Sequence, residues 1–204
     1  MIITDIVAKR KKLSAIYIDG EFAVKIDSET LIASPFSVGS EITDEQLKQL
    51  IDDSDEKRAK EKALWLLSSR DHSSRELETK IKKTSGSEAA EKAVRRMEEL
   101  GLVNDEKFAR RYAGELINVK HLSVKGARYK LLEKGIDRDL ADLILEEMAP
   151  DPREHIELLI EKKYSRYLSD EKGRKKTVAA LQRMGYSWGD IKAVMSNYFE
   201  DEYI

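Results

Sequence analysis

The chain has 204 residues, 41% of them apolar and 37% charged, with no cysteine and a formal net charge of −2. That is the composition of a folded chain with room for one large domain or two small ones, and a charged share above the usual value of about 25% calls for the large surface of an elongated helical protein. Without cysteine there are no disulfides, thiolate nucleophiles or cysteine-ligated metal centres, and no segment shows the long apolar run of a membrane span or the basic-then-apolar order of a signal peptide, so a cytoplasmic protein with no membrane partner is expected.

Residues 2–8 are rich in Ile and Val and predict a strand. Leu13, Ala15 and Tyr17, then Asp19-Gly20, then Phe22, Val24 and Ile26 alternate in period two and predict a β-hairpin. Asp-Gly suits the two positive φ angles of a type I′ turn. A two-residue loop there pairs Tyr17 with Phe22 and Ala15 with Val24, placing all six apolar residues on one face. The other register would bury Glu21.

Ser34-Pro35 and Gly39-Ser40 punctuate a loop. Thr43 with Gln46 three positions on forms a capping box that opens a helix at about Asp44. The acidic run Asp52, Asp53, Asp55, Glu56 marks the joint between two parts, and the boundary is placed near residue 54. Charge changes there too, since residues 1–56 carry 6 basic and 12 acidic groups and residues 57–104 carry 12 and 8.

From Lys57 onward helical periodicity dominates. Helices are predicted over 56–69, 73–83, 87–100, 105–119, 123–134, 138–148, 153–168, 170–184 and 188–200, which makes three groups of three at 55–104, 105–151 and 152–204. The groups repeat one unit every 50 residues or so. Ser73, Ser123 and Gly173 open the middle helices, with Leu77, Ala127 and Thr177 four positions later and Ile81, Leu131 and Leu181 after four more. That spacing is one helix face. Gly135 and Gly185 end two of these helices in the same register, with Ser85-Gly86 in the first, and Val94, Ile144 and Val194 continue the match. The fold class is therefore mostly α, with three tandem three-helix repeats after a small three-stranded β region of residues 1–54. Units this small bury a joint core by stacking, and three helix lengths of roughly 22 Å suggest an elongated array of about 65 Å.

Catalytic chemistry is missing from the pattern. His72, His121 and His155 lack metal-ligand spacing, no phosphate-cradling glycine loop occurs, and Ser69-Arg70-Asp71-His72 holds triad residue types only as chain neighbours. Neither an enzyme nor a bound cofactor or metal is expected. What recurs is positive charge on each middle helix: Arg70, Arg75, Lys80, Lys82 and Lys83; Lys120, Lys125, Arg128 and Lys130; Lys172, Arg174, Lys175 and Lys176. A solvated face explains any one cluster, whereas three in equivalent places suit a phosphate backbone. The last helices of the second and third groups carry Asp137, Asp139, Asp142, Glu146, Glu147 and Asp190 in place of base-reading side chains, which disfavours sequence-specific recognition. Few aromatics interleave with the basic residues, so single-strand stacking has little support.

Four segments resemble a known family, the RecX regulators of RecA recombinase: SSRDHSSRELETKI at 68–81, MEELGLVNDEKFARRYA at 97–113, SVKGARYKLLEKGID at 123–137 and KKTVAALQRMGYSWGDIKAVM at 175–195. The resemblance covers about residues 57–200. It implies tandem three-helix units in the groove of a RecA–DNA filament, modulation and most simply inhibition of the recombinase, and a part in DNA recombination, DNA repair and the SOS response. A monomer is expected. Residues 1–55 fall outside the shared core, and their acidity argues against DNA contact. Within the second segment the residues read as structural: Gly101 ends a helix, Asn104 caps the next, and Leu102 and Phe108 pack the joint. Binding to filament or DNA is assigned to Arg70, Arg75, Lys125, Arg128, Arg174 and Lys175. The alternative is a stand-alone DNA-binding protein of tandem helical type.

Overall fold

Alternation at the N-terminus is realised as an antiparallel sheet of order β1-β2-β3, with β1 at Ile3–Lys9, β2 at Leu13–Ile18 and β3 at Glu21–Asp27. Asp19 and Gly20 adopt φ of 50° and 89°, the two positive angles that a type I′ turn requires. Tyr17 pairs with Phe22 as the turn dictates, their rings meeting edge to face at 5.9 Å. One step further the register shifts: Val24 pairs with Ile16, not with Ala15, because Ala23 is an extra residue on β3. This β-bulge corrects the expected apolar face. The core is built on Ile16, Ile18, Ile26 and Ile3, together with Leu31, Ile42 and Leu50, while Phe22 is left 54% exposed.

This is a computed structural model, in which residues 1–198 are described, and the chain divides into two units, Met1–Asn104 and Asp105–Ile204. In the first, a short helix α1 (Ser28–Ala33) that periodicity did not reveal follows β3, capped by Asp27 accepting from the Thr30 N–H. The next helix, α2, does open at Asp44 under the Thr43/Gln46 capping box. It then runs unbroken for 26 residues to Ser69, so the expected separate helix at 56–69 is its second half. The acidic run lies inside α2, where such residues disturb a helix only mildly. Its first half packs Leu50 on the sheet core, and its second half packs Ala59, Ala63 and Leu66 against α3 (Ser74–Ser85) and α4 (Ser87–Glu99). At the midpoint Ser54 Oγ accepts from the Asp27 N–H at 2.8 Å, and Lys57 Nζ lies 3.0 Å from the Asp27 carboxylate. Burial would raise that carboxyl, but Lys57 and Thr30 outweigh it and hold it below its ordinary value.

The second unit contains α5 (Asp105–Gly114), α6 (Val124–Glu133), α7 (Arg138–Met148), α8 (Pro152–Leu159), α9 (Glu171–Arg183) and α10 (Trp188–Met195). The long helix expected at 105–119 ends in a π turn at Glu115–Val119, and the one expected at 153–168 passes through a π turn at Ile160–Tyr164 into a 3-10 turn at Ser165–Tyr167. The last helix stops at Met195, and the expected positions 199 and 200 lie outside the described residues. The repeat is realised in the packing: Leu77, Ala127, Thr177, Ile81, Leu131 and Leu181 are all buried, as are Val94, Ile144 and Val194. Gly135 and Gly185 carry φ of 79° and 94° at the ends of α6 and α9. Gly173 does not open its helix, however. Asp170 is the cap, and Gly173 sits inside α9, where a Cβ would fall 1.8 Å from the Tyr167 carbonyl oxygen. The expected joint residue Leu102 is 50% exposed, whereas its neighbour Val103 packs in the first-repeat core and Phe108 in the next.

Candidate nucleic-acid interface

Arg70 ends α2, with Nη2 on Glu76 Oε1 at 2.6 Å. Arg128 reaches from α6 to Asp142 of α7 through two nitrogens, Nε to Oδ1 and Nη2 to Oδ2, the latter at 2.5 Å. Hydrogen bonding to Asp142 raises the Arg128 pKa and lowers that of the carboxylate. Lys175 lies 2.5 Å from Glu171 one turn back on α9. Arg174 is half-buried on the same helix. Arg70, Arg128 and Lys175 are therefore paired within their own repeats.

Arg75 and Lys125 are exposed. They share a position with Lys175: each stands two residues before the buried side chain of its middle helix, Leu77, Ala127 or Thr177. An exposed cation thus recurs at one place in every repeat. Helical geometry explains the exposure, since a residue two positions from a buried one points away from the core.

Within the second unit a cleft of about 450 Å³ opens between α6 and the end of α9. Lys125, Tyr129 and Lys130 border it from α6, and Gln182 and Arg183 from α9, with no carboxylate among the lining residues. Its floor depends on two glycines. The Ser123 N–H donates to the Met184 carbonyl at 3.0 Å, and a Cβ on Gly126 would fall 2.5 Å from that same oxygen. One on Gly185 would fall 2.6 Å from Ser123 Oγ. Close backbone approach of this kind is what glycine permits. Tyr129 is 67% exposed, with Lys130 Nζ 5.6 Å from its ring centroid. Lys130 also pairs with Glu133 at 2.7 Å, and Arg183 Nε donates to the Ala179 carbonyl at 3.2 Å. No sequence signal joins Tyr129 to Arg183, because the residues are brought together only by the packing of two repeats.

Beneath the cleft, three side chains tie the second repeat to the third. The Tyr186 hydroxyl is 2.9 Å from His155 Nδ1 and 3.2 Å from the His121 carbonyl oxygen, and the two imidazoles stand 5.6 Å apart. Burial lowers the His155 pKa, and the nearby His121 adds to this. Burial likewise pushes the Tyr186 phenol up to about 12. In the first repeat His72 is spent structurally, with Nδ1 on the Arg70 carbonyl at 2.9 Å and Nε2 on Lys80 Nζ at 3.0 Å. Ser69 Oγ donates to the Leu66 carbonyl at 2.8 Å, so the triad-like string forms the end of α2. Among the described residues no group of three His, Asp or Glu could hold a metal, and no helix is long and apolar enough to cross a membrane.

Comparison with known proteins agrees with the repeat pattern. Residues 104–145 match the family model of the second three-helix domain of RecX, and residues 151–195 that of the third. The chain is 33% identical over 180 residues to the regulatory protein RecX of Caldanaerobacter subterraneus subsp. tengcongensis, covering 86% of this chain and 90% of that one. It is 28% identical over 192 residues to the regulatory protein RecX of Clostridioides difficile, covering 92% and 91%. A crystal structure of a regulatory protein RecX shares the fold at a TM-score of 0.60 and 23% identity, over 96% of this chain and 98% of that one.

Proposed function

The chain belongs to the RecX family of regulatory proteins, and from that premise we propose that it binds the RecA–DNA filament and inhibits the recombinase. The observation that carries this reading is the exposed cation repeated at one position of each middle helix, Arg75, Lys125 and Lys175. A cation exposed at the same position of each repeat favours a polyanionic partner, and a nucleoprotein filament offers phosphates. Phosphate contact positions a protein without reading sequence, which accords with the acidic residues of α7, Asp139, Asp142, Glu146 and Glu147. On this reading Arg70, Arg128 and Arg174 flank the contact, with the charges of Arg70 and Arg128 partly satisfied within their own repeats. The protein acts in the cytoplasm as a monomer, by binding and not by catalysis, and needs no cofactor.

RecA ATPase on single-stranded DNA tests the proposal. A filament regulator lowers the rate at amounts well below those that coat the DNA. The stand-alone DNA-binding alternative requires enough protein to saturate the DNA, and an effect seen only there would reject the filament reading.

A further inference from the structure

We infer that the cleft between α6 and α9 is a subsite for one nucleotide of a single-stranded nucleic acid, with the base stacked on Tyr129 and the phosphate held by Lys125 and Arg183. The inference deepens the proposed function and rests on its nucleic-acid contact. Three observations carry it together. Lys125 and Arg183 converge on a cleft that no carboxylate lines, beside Lys130, whose charge Glu133 already meets, so the occupant is anionic. Its volume of about 450 Å³ falls within the range of small-ligand sites. Tyr129 presents its ring to solvent at the border of that cleft, and an aromatic face beside cations is what an unpaired base with its phosphate can use.

Single-strandedness follows from the tyrosine. Bases in a duplex are stacked on one another and do not offer a face to a side chain at the groove wall, whereas an unpaired base does. The support of the site is rigid, because Gly126 and Gly185 bring α6 against the end of α9 at backbone contact. Gln182 adds an amide that can hydrogen-bond any base edge, so little sequence preference is expected.

The test uses the full chain without RecA and a labelled oligothymidylate, read by fluorescence anisotropy beside a duplex of equal length. Tyr129→Ala should weaken single-strand binding roughly 5- to 150-fold and leave duplex binding nearly unchanged. Tyr129→Phe, which keeps the ring, should restore it. Replacing Lys125 and Arg183 by Ala should lower the salt slope by about 0.7, the share of the one phosphate they hold together. An unchanged single-strand affinity in a folded Tyr129→Ala variant overturns the inference, as does an equal loss for both DNA forms, which would assign the cleft to phosphate alone. So does binding to DNA-free RecA with the same sensitivity and none to the oligonucleotide, which would assign it to an acidic protein surface. If RecA ATPase is unaffected while oligothymidylate binding depends on Tyr129, the filament reading fails and this inference stands. The converse result separates them the other way.

Discussion

His155 and Tyr186 meet at 2.9 Å, Nδ1 to hydroxyl, in the joint between the second and third repeats. Burial keeps the imidazole uncharged, and its pKa lies below the ordinary value. As pH falls through about 6.5 the unfolded chain takes up this proton before the folded one does, so the linkage has one sign. Stability is full above that pH and declines towards the lower folded-state pKa. His72 acts in the same direction, through burial. Thermal unfolding between pH 8 and 5 should therefore show a falling midpoint, and His155→Asn should make the decline shallower. A midpoint that rises on acidification would contradict this account.

The bulge at Ala23 can be tested by two substitutions on the sheet. Ile16 is fully buried and Phe22 is 54% exposed. Ile16→Ala should cost about 2–5 kcal/mol, and Phe22→Ala about 1 kcal/mol through its ring contact with Tyr17. Denaturant unfolding measures both. Equal costs would restore the unbulged register.

The division of the chain at residue 54 is open to truncation. Removing residues 1–54 cuts α2 but leaves Ala59, Ala63 and Leu66, its contribution to the core of the first repeat. The truncated protein should keep its helices, with a loss of about 1 kcal/mol for the missing helix cap. Circular dichroism during heating reads the outcome, and loss of cooperative unfolding would show that the sheet region and the first repeat fold as one.

The repeated cations make a separate prediction. With Arg75, Lys125 and Lys175 all replaced by Glu, DNA and filament binding should fall strongly at low salt, and the salt slope should drop by roughly two to three if all three meet phosphates. Arg128→Ala loses an exposed, solvent-screened ion pair with Asp142 and should leave stability nearly unchanged. Unchanged binding by the folded triple variant would move the contact surface elsewhere.

Much of this molecule is local and therefore legible in the chain. The Asp19-Gly20 turn, the Thr43 cap and the glycines after α6 and α9 follow from backbone preferences within a few residues. The buried i, i+4, i+8 faces follow from helical periodicity, and the basic middle helices from composition. Other features depended on contacts between distant residues. An alternation of apolar residues cannot announce the extra Ala23 that turns Ile16 and not Ala15 to the partner of Val24. The acidic run reads as a linker until the sheet on one side and the first repeat on the other hold α2 straight through it. Ion pairing between α6 and α7 required the helices of one repeat to pack, and the cleft shared by Tyr129 and Arg183 required two repeats to pack, because a side chain's partner across a fold is set by tertiary geometry and not by its neighbours in sequence.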